Sequence, residues 1–126
     1  MIPKFRAYDS GSLCRMYQPD EVMVSDGNIW IIDEDDVVGE WIVNNDLNLM
    51  QSTGLFDKNG KEIFEGDIVK MAKDVYSDLT YYEIVRHRGG AYRLESNQHG
   101  CELWLRHTNC EVIGNIYENP ELLEVE

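Results

Sequence analysis

Four potential zinc ligands, His99, Cys101, His107 and Cys110, fall within twelve residues of one another. Thiolate and imidazole are the donors that zinc prefers, but the order H-x-C-x5-H-x2-C lacks the paired knuckles that fix a tetrahedron. A strand over residues 102–106 would also span about 15 Å at β-rise, with Cys101 at its start and His107 just past its end, so convergence would need a sharp bend. Buried thiols and rim histidines are therefore expected here, with no metal. A calcium loop at Asp33, Asp35 and Glu40 fails on its own chemistry. Its sixth place is not glycine, and apolar Val37 and Val38 stand where oxygen ligands belong.

Arg86, Arg88 and Arg93 make the one locally basic spot in the sequence. Gly89-Gly90 is a suitable two-residue hairpin turn. Its register would set Arg86 opposite Arg93, Val85 opposite Leu94, and His87 opposite Tyr92. Opposed cations on a hairpin destabilise it unless an anion or carboxylate intervenes. Glu95, diagonal to Arg86, can supply that carboxylate as a surface ion pair. A contact with an external anion, chiefly nucleic-acid phosphate, is the sharper alternative.

The chain has 24 acidic side chains, so no particular pair of them identifies carboxylate catalysis, and a small hydrolase stands only as a further alternative. Asp67, after Gly66, suits a turn in which its carboxylate accepts hydrogen bonds from nearby amides. Gly89-Gly90 lacks a phosphate-loop pattern, and no nucleophile triad is recognisable from spacing. No catalytic residue, metal site or cofactor is expected.

The elements that must position these groups are short. Strands are expected at residues 4–9, 13–17, 21–25, 28–32 and 47–51, then at 68–73, 79–88, 91–95, 102–106 and 111–117. Turn signals separate them at Ser10-Gly11-Ser12, Asp26-Gly27, Asp57-Lys58-Asn59-Gly60 and Gly89-Gly90. Residues 37–48 show no clean period and read as an irregular excursion. Asn119-Pro120-Glu121 is a helix-start signature with room for only a turn of helix. The fold class is therefore all-β, a small SH3-type barrel with additional N-terminal antiparallel strands. The organisation is one domain over residues 1–126. Residues 1–49 give N-terminal strands and an acidic loop, 50–117 the barrel, and 118–126 a tail.

The chain's 126 residues and 43% apolar content suit a domain that buries a real core. No apolar run of about 18 residues offers a membrane span. Charges occupy the N-terminal stretch where a signal peptide needs its apolar centre. Three cysteines in no framework spacing favour reduced thiols. Cytoplasmic residence is the expectation.

The net charge of −13 is uneven. Residues 16–56 carry nine acidic side chains and no Lys or Arg, and residues 111–126 carry five acids and again no base. That field repels a phosphate backbone and disfavours nucleic acid as a general partner. The run Asp33, Glu34, Asp35 and Asp36 suits a solvated loop, or a face for a basic protein partner. Trp30, Trp41 and Trp104 are more often core anchors than contacts. Trp41, beside the acidic loop, is the exception to check.

Three blocks, FRAYD at residues 5–9, LMQSTGLFDKNGKEIFEGDIVK at 49–70 and CEVIGNIYENPELL at 110–123, together resemble the YopX-like family of phage and prophage proteins. The resemblance implies a small, mostly β protein containing an SH3-type barrel, with no catalytic residue to carry over. Gly54, Gly60, Gly66, Asp67 and Gly114 would then punctuate the fold. The family so implied has no established activity, and the function expected for this chain is that of a non-enzymatic phage or prophage accessory protein that binds an unknown protein partner and, because exposed β-edges must be managed, self-associates.

Overall fold

The computed structural model describes residues 4–11, 14–32, 39–72, 79–86, 90–96 and 100–124. The chain divides into two compact units, Met1–Gln51 and Ser52–Glu126.

In the first unit, β1 (Phe5–Asp9) is followed by β2 (Arg15–Tyr17), a 3-10 turn at Pro19–Glu21, β3 (Val22–Ser25), β4 (Asn28–Ile32), β5 (Trp41–Val43) and the start of β6 (Asn48–Phe56). β1 pairs antiparallel with β2 on one side and with β6 at Asn48–Gln51 on the other. β3, β4 and β5 form a separate antiparallel meander. Asp26 and Gly27 close its first hairpin with φ of 54° and 77°. Two positive φ values match the twist of the flanking strands, which explains the Asp-Gly pair at that place. Ala7, Tyr17, Val22, Ile31 and Leu47 make the buried core of this unit.

The second unit contains the remainder of β6, then β7 (Glu62–Phe64), β8 (Asp67–Ala72), β9 (Leu79–Arg86), β10 (Tyr92–Glu95) and β11 (Gly100–Glu102). A helical turn α1 (Leu103–Arg106), a 3-10 turn His107–Asn109, β12 (Glu111–Asn115) and the turn α2 (Glu121–Glu124) complete it. Its main sheet runs β11-β10-β9-β8-β12, antiparallel throughout, and is half-barrel-like. The mostly β fold expected from the sequence is the one observed. Ile63, Val69, Met71, Tyr82, Ile84 and Leu94 lie at the centre of its apolar core.

Three local expectations are corrected. Residues 102–106 are not a strand, because β11 ends at Glu102 and α1 begins at Leu103. A strand would send Leu103 and Leu105 to one face, yet Leu103 is fully buried and Leu105 exposed. The β9–β10 register also differs by one residue: Arg86 opposes Tyr92, Val85 opposes Arg93, and Ile84 opposes Leu94. A one-residue slip turns every side chain to the other face. The observed register buries both Ile84 and Leu94 completely, whereas the expected one would have turned Ile84 outward. Finally, the stretch read as irregular contains β5. Trp41, Ile42 and Val43 are strand formers by type, but all three are exposed, so no alternation marks them in the sequence.

Candidate functional site

Among the described residues two carboxylates are buried, Asp57 and Asp67, and both accept from backbone amides. Asp57 Oδ1 accepts from the amides of Asn59 and Lys61 at 2.8 and 2.9 Å, and Oδ2 accepts from Val112 at 2.9 Å. It thus shapes the Asp57–Gly60 turn and ties it to β12. Burial pushes this carboxyl up, but the amides of Val112, Lys61 and Asn59, with the Lys61 charge, outweigh burial and hold it below the ordinary aspartate value. Asp67, fully buried, accepts from the Phe64 amide at 2.8 Å across the Glu65-Gly66 turn. This is the turn role read from its sequence context.

The zinc-type residues have separate occupations. The His107 Nδ1–H donates to Phe56 O at 2.8 Å, and the Cys110 thiol donates to His107 O at 3.2 Å. Burial, with the Asp57 charge adding to it, pushes the Cys110 thiol up to about 11. Burial also raises Cys101. His99 lies outside the described residues. Among the described residues no three His, Cys, Asp or Glu side chains converge as a metal set.

Arg86 and Arg93 do not share a face. Arg86 pairs with Tyr92 and Arg93 with Val85, so adjacent register positions send the two side chains to opposite sides of the sheet. Arg93 is held by Glu102 at 2.6 Å and Glu95 at 3.4 Å. Glu95 is therefore a carboxylate of an arginine ion pair, with Arg93 on its own strand. Arg88 lies outside the described residues, as do Asp33, Glu34, Asp35 and Asp36.

In the first unit, a surface without an internal explanation is one side of the β3–β4–β5 meander. Met23, Trp30 and Val43 stand in one cross-strand row, and Ile32 and Trp41 in another on the same face. Val22 and Ile31 point the other way, into the core. Met23, Trp41 and Val43 are 43%, 39% and 44% exposed, an unusual state for side chains that gain by leaving water. Trp30 is half-buried and its indole N–H donates to Ser25 O, so its ring is fixed in the face.

β5 also carries a backbone feature. Among the described residues it pairs with β4 and with no strand on its other side. The Asn44 amide donates to Ile29 O at 2.8 Å and the Ile29 amide donates to Asn45 Oδ1 at 2.8 Å, so the backbones of Ile29 and Asn44 face each other. Alternation along the ladder then turns the Ile42 backbone toward β4 and the backbones of Trp41 and Val43 toward the open edge. Asp26, Glu40 and Asp46 are exposed around this meander. Glu21, in contrast, is engaged by Arg15 at 2.6 Å.

Sequence reasoning picked out Trp41 and the acidic character of the region. It missed Met23 and Val43, which become one surface with Trp41 only through the register. A second set of exposed apolar side chains, Phe56, Trp104 and Leu105, lies in the other unit.

The family model described as YopX protein matches residues 4–124. Among solved structures, the chain is similar to the crystal structure of protein EF1440 from Enterococcus faecalis, at 33% identity and a TM-score of 0.64. That match covers 98% of this chain and 99% of the other. It is also similar to the X-ray structure of protein yopX from Bacillus subtilis, at 20% identity and a TM-score of 0.65, covering 95% of this chain and 97% of that one. The second likeness speaks to the fold alone. No curated protein matches the chain.

Proposed function

The chain belongs to the YopX family, and from that premise we propose that it is a non-enzymatic binding module, a phage or prophage accessory protein of the cytoplasm. Its contact surface is the outer face of β3, β4 and β5, and its partner is a basic protein. The observation that carries this reading is the row structure of that face: Met23, Trp41 and Val43 are exposed together on a sheet that packs Val22 and Ile31 into the core from its other side. Apolar side chains grouped in this way mark interaction surfaces more often than scattered ones do. Charge selects the partner's sign, because exposed Asp26, Glu40 and Asp46 border the face within a stretch, residues 16–56, whose sequence has nine acids and no base.

A binding role rather than catalysis is supported by the use of Asp57 and Asp67 as backbone acceptors. Cytoplasmic residence is supported by three free cysteines, and among the described residues no helix is long and apolar enough to cross a membrane. Nucleic acid is disfavoured as a partner by the overall charge and by the ion pairs of Arg93 with two carboxylates.

The test is a titration with two blocked extended peptides, KKVTVKK and EEVTVEE, followed by tryptophan fluorescence. The lysine peptide is expected to bind and to weaken with added salt, and the glutamate peptide to leave the signal unchanged. Equal responses to both, or none to the lysine peptide, would refute the reading.

The open edge of β5 favours a second contact, self-association. An antiparallel copy of β5 centred on Ile42 would set each Trp41 opposite the other copy's Val43, the isologous geometry of a two-fold dimer.

A further inference from the structure

Resting on the binding reading above, the geometry points to the manner of binding: an extended, basic-flanked segment of the partner adds as a strand to the free side of β5. An apolar face alone would leave the bound shape undetermined. The backbone at Trp41 and Val43 narrows it. These residues turn their N–H and C=O groups away from β4, so the edge offers two donors and two acceptors with no described strand to meet them. Backbone groups of that spacing are met by another strand, which is how sheet edges capture peptides.

The same two residues send their side chains to the outer face, in the rows of Trp30 and Ile32. A strand added there places every second side chain beside Trp41 and Val43, extending those apolar rows by one position. The intervening side chain would lie on the side of Ile42, which is itself 41% exposed. The preferred segment is therefore apolar at positions i and i+2. Exposed Glu40 and Asp46, before and after β5 in the chain, call for lysine or arginine in its flanks. No change in the β4 pairing is needed, since Ile42 keeps its own bonds to that strand.

The experiment reads backbone pairing directly, by amide hydrogen exchange in the full chain with and without KKVTVKK. In the free protein in dilute buffer, where charge repulsion keeps two β5 edges apart, the Ile42 amide should exchange slowly and those of Trp41 and Val43 fast. Saturating peptide should slow Trp41 and Val43 by at least about tenfold. A peptide that binds, perturbing Met23 and Trp30, while the exchange of Trp41 and Val43 is unchanged would overturn strand addition and leave the contact surface standing. A peptide that does not bind would remove the surface and this inference together. As a second readout, Val43→Pro deletes an outward N–H but no bond to β4, whereas Val43→Ala trims the side chain and keeps the N–H. The proline variant should lose about tenfold more affinity than the alanine variant. Equal affinity of the two overturns the proposal.

Discussion

Asp57 is the residue whose chemistry is most fully accounted for. Its three amide donors come from two places along the chain, Asn59 and Lys61 at the turn after Asp57 and Val112 in β12. Asp57→Ala would leave those amides without an acceptor in a buried position, and should lower stability by about 3 kcal/mol in urea unfolding. The pH dependence has a definite sign. The folded carboxyl lies below its ordinary value of 3.8, so its contribution is present above that value and is lost as pH falls through the folded one. The variant should therefore differ most from the parent near neutrality and converge with it in acid. Cys110 gives a contrasting case, with its thiol pushed up to about 11 by burial while Cys14 is exposed. At about pH 8, iodoacetamide should label Cys14 and spare Cys110 until the protein is unfolded, as mass spectrometry would show.

At the scale of elements, the β9–β10 hairpin provides a check on register. Ile84 is fully buried opposite Leu94, and Val85 is half-buried opposite Arg93. Ile84→Ala should cost about 3 kcal/mol and Val85→Ala under about 1, measured as midpoint shifts in denaturant. The register expected from sequence gives the reverse order. Its error is instructive. Gly89-Gly90 does mark a reversal, but a turn signal does not count the residues in the loop, and register depends on that count. Ile84 and Val85 are both β-branched and apolar, so pattern alone could not choose between them. The Asp26-Gly27 hairpin was legible because its two residues are the ones that a two-residue loop with positive φ requires. β5 was illegible for the opposite reason. A periodic signal requires one face to be buried, and neither face of that edge strand is. Residues 102–106 misled because Leu and Trp serve a helical turn as well as a strand. The candidate face was thus half visible: its charge and Trp41 could be read, but its continuity is a property of cross-strand rows.

At the scale of the whole molecule, a chain of net charge −13 carries exposed Met23, Trp41 and Val43 within its most acidic stretch. Two such copies repel at low ionic strength, and salt screens that repulsion over about 10 Å at 0.1 M. If β5 also pairs with itself, light scattering should give twice the chain mass in high salt and a lower mass in dilute buffer. A single-chain mass at every salt concentration would exclude the dimer. The same salt should weaken attraction for a basic partner, so the two contacts respond to ionic strength in opposite directions. The central claim concerns the partner, and calorimetric titration of KKVTVKK into the parent and Trp41→Ala proteins tests it most directly. Trp41 is exposed, so its removal should leave the unfolding midpoint nearly unchanged while peptide affinity falls by about tenfold or more. Equal affinity of the two proteins for the peptide would contradict the assignment of this face.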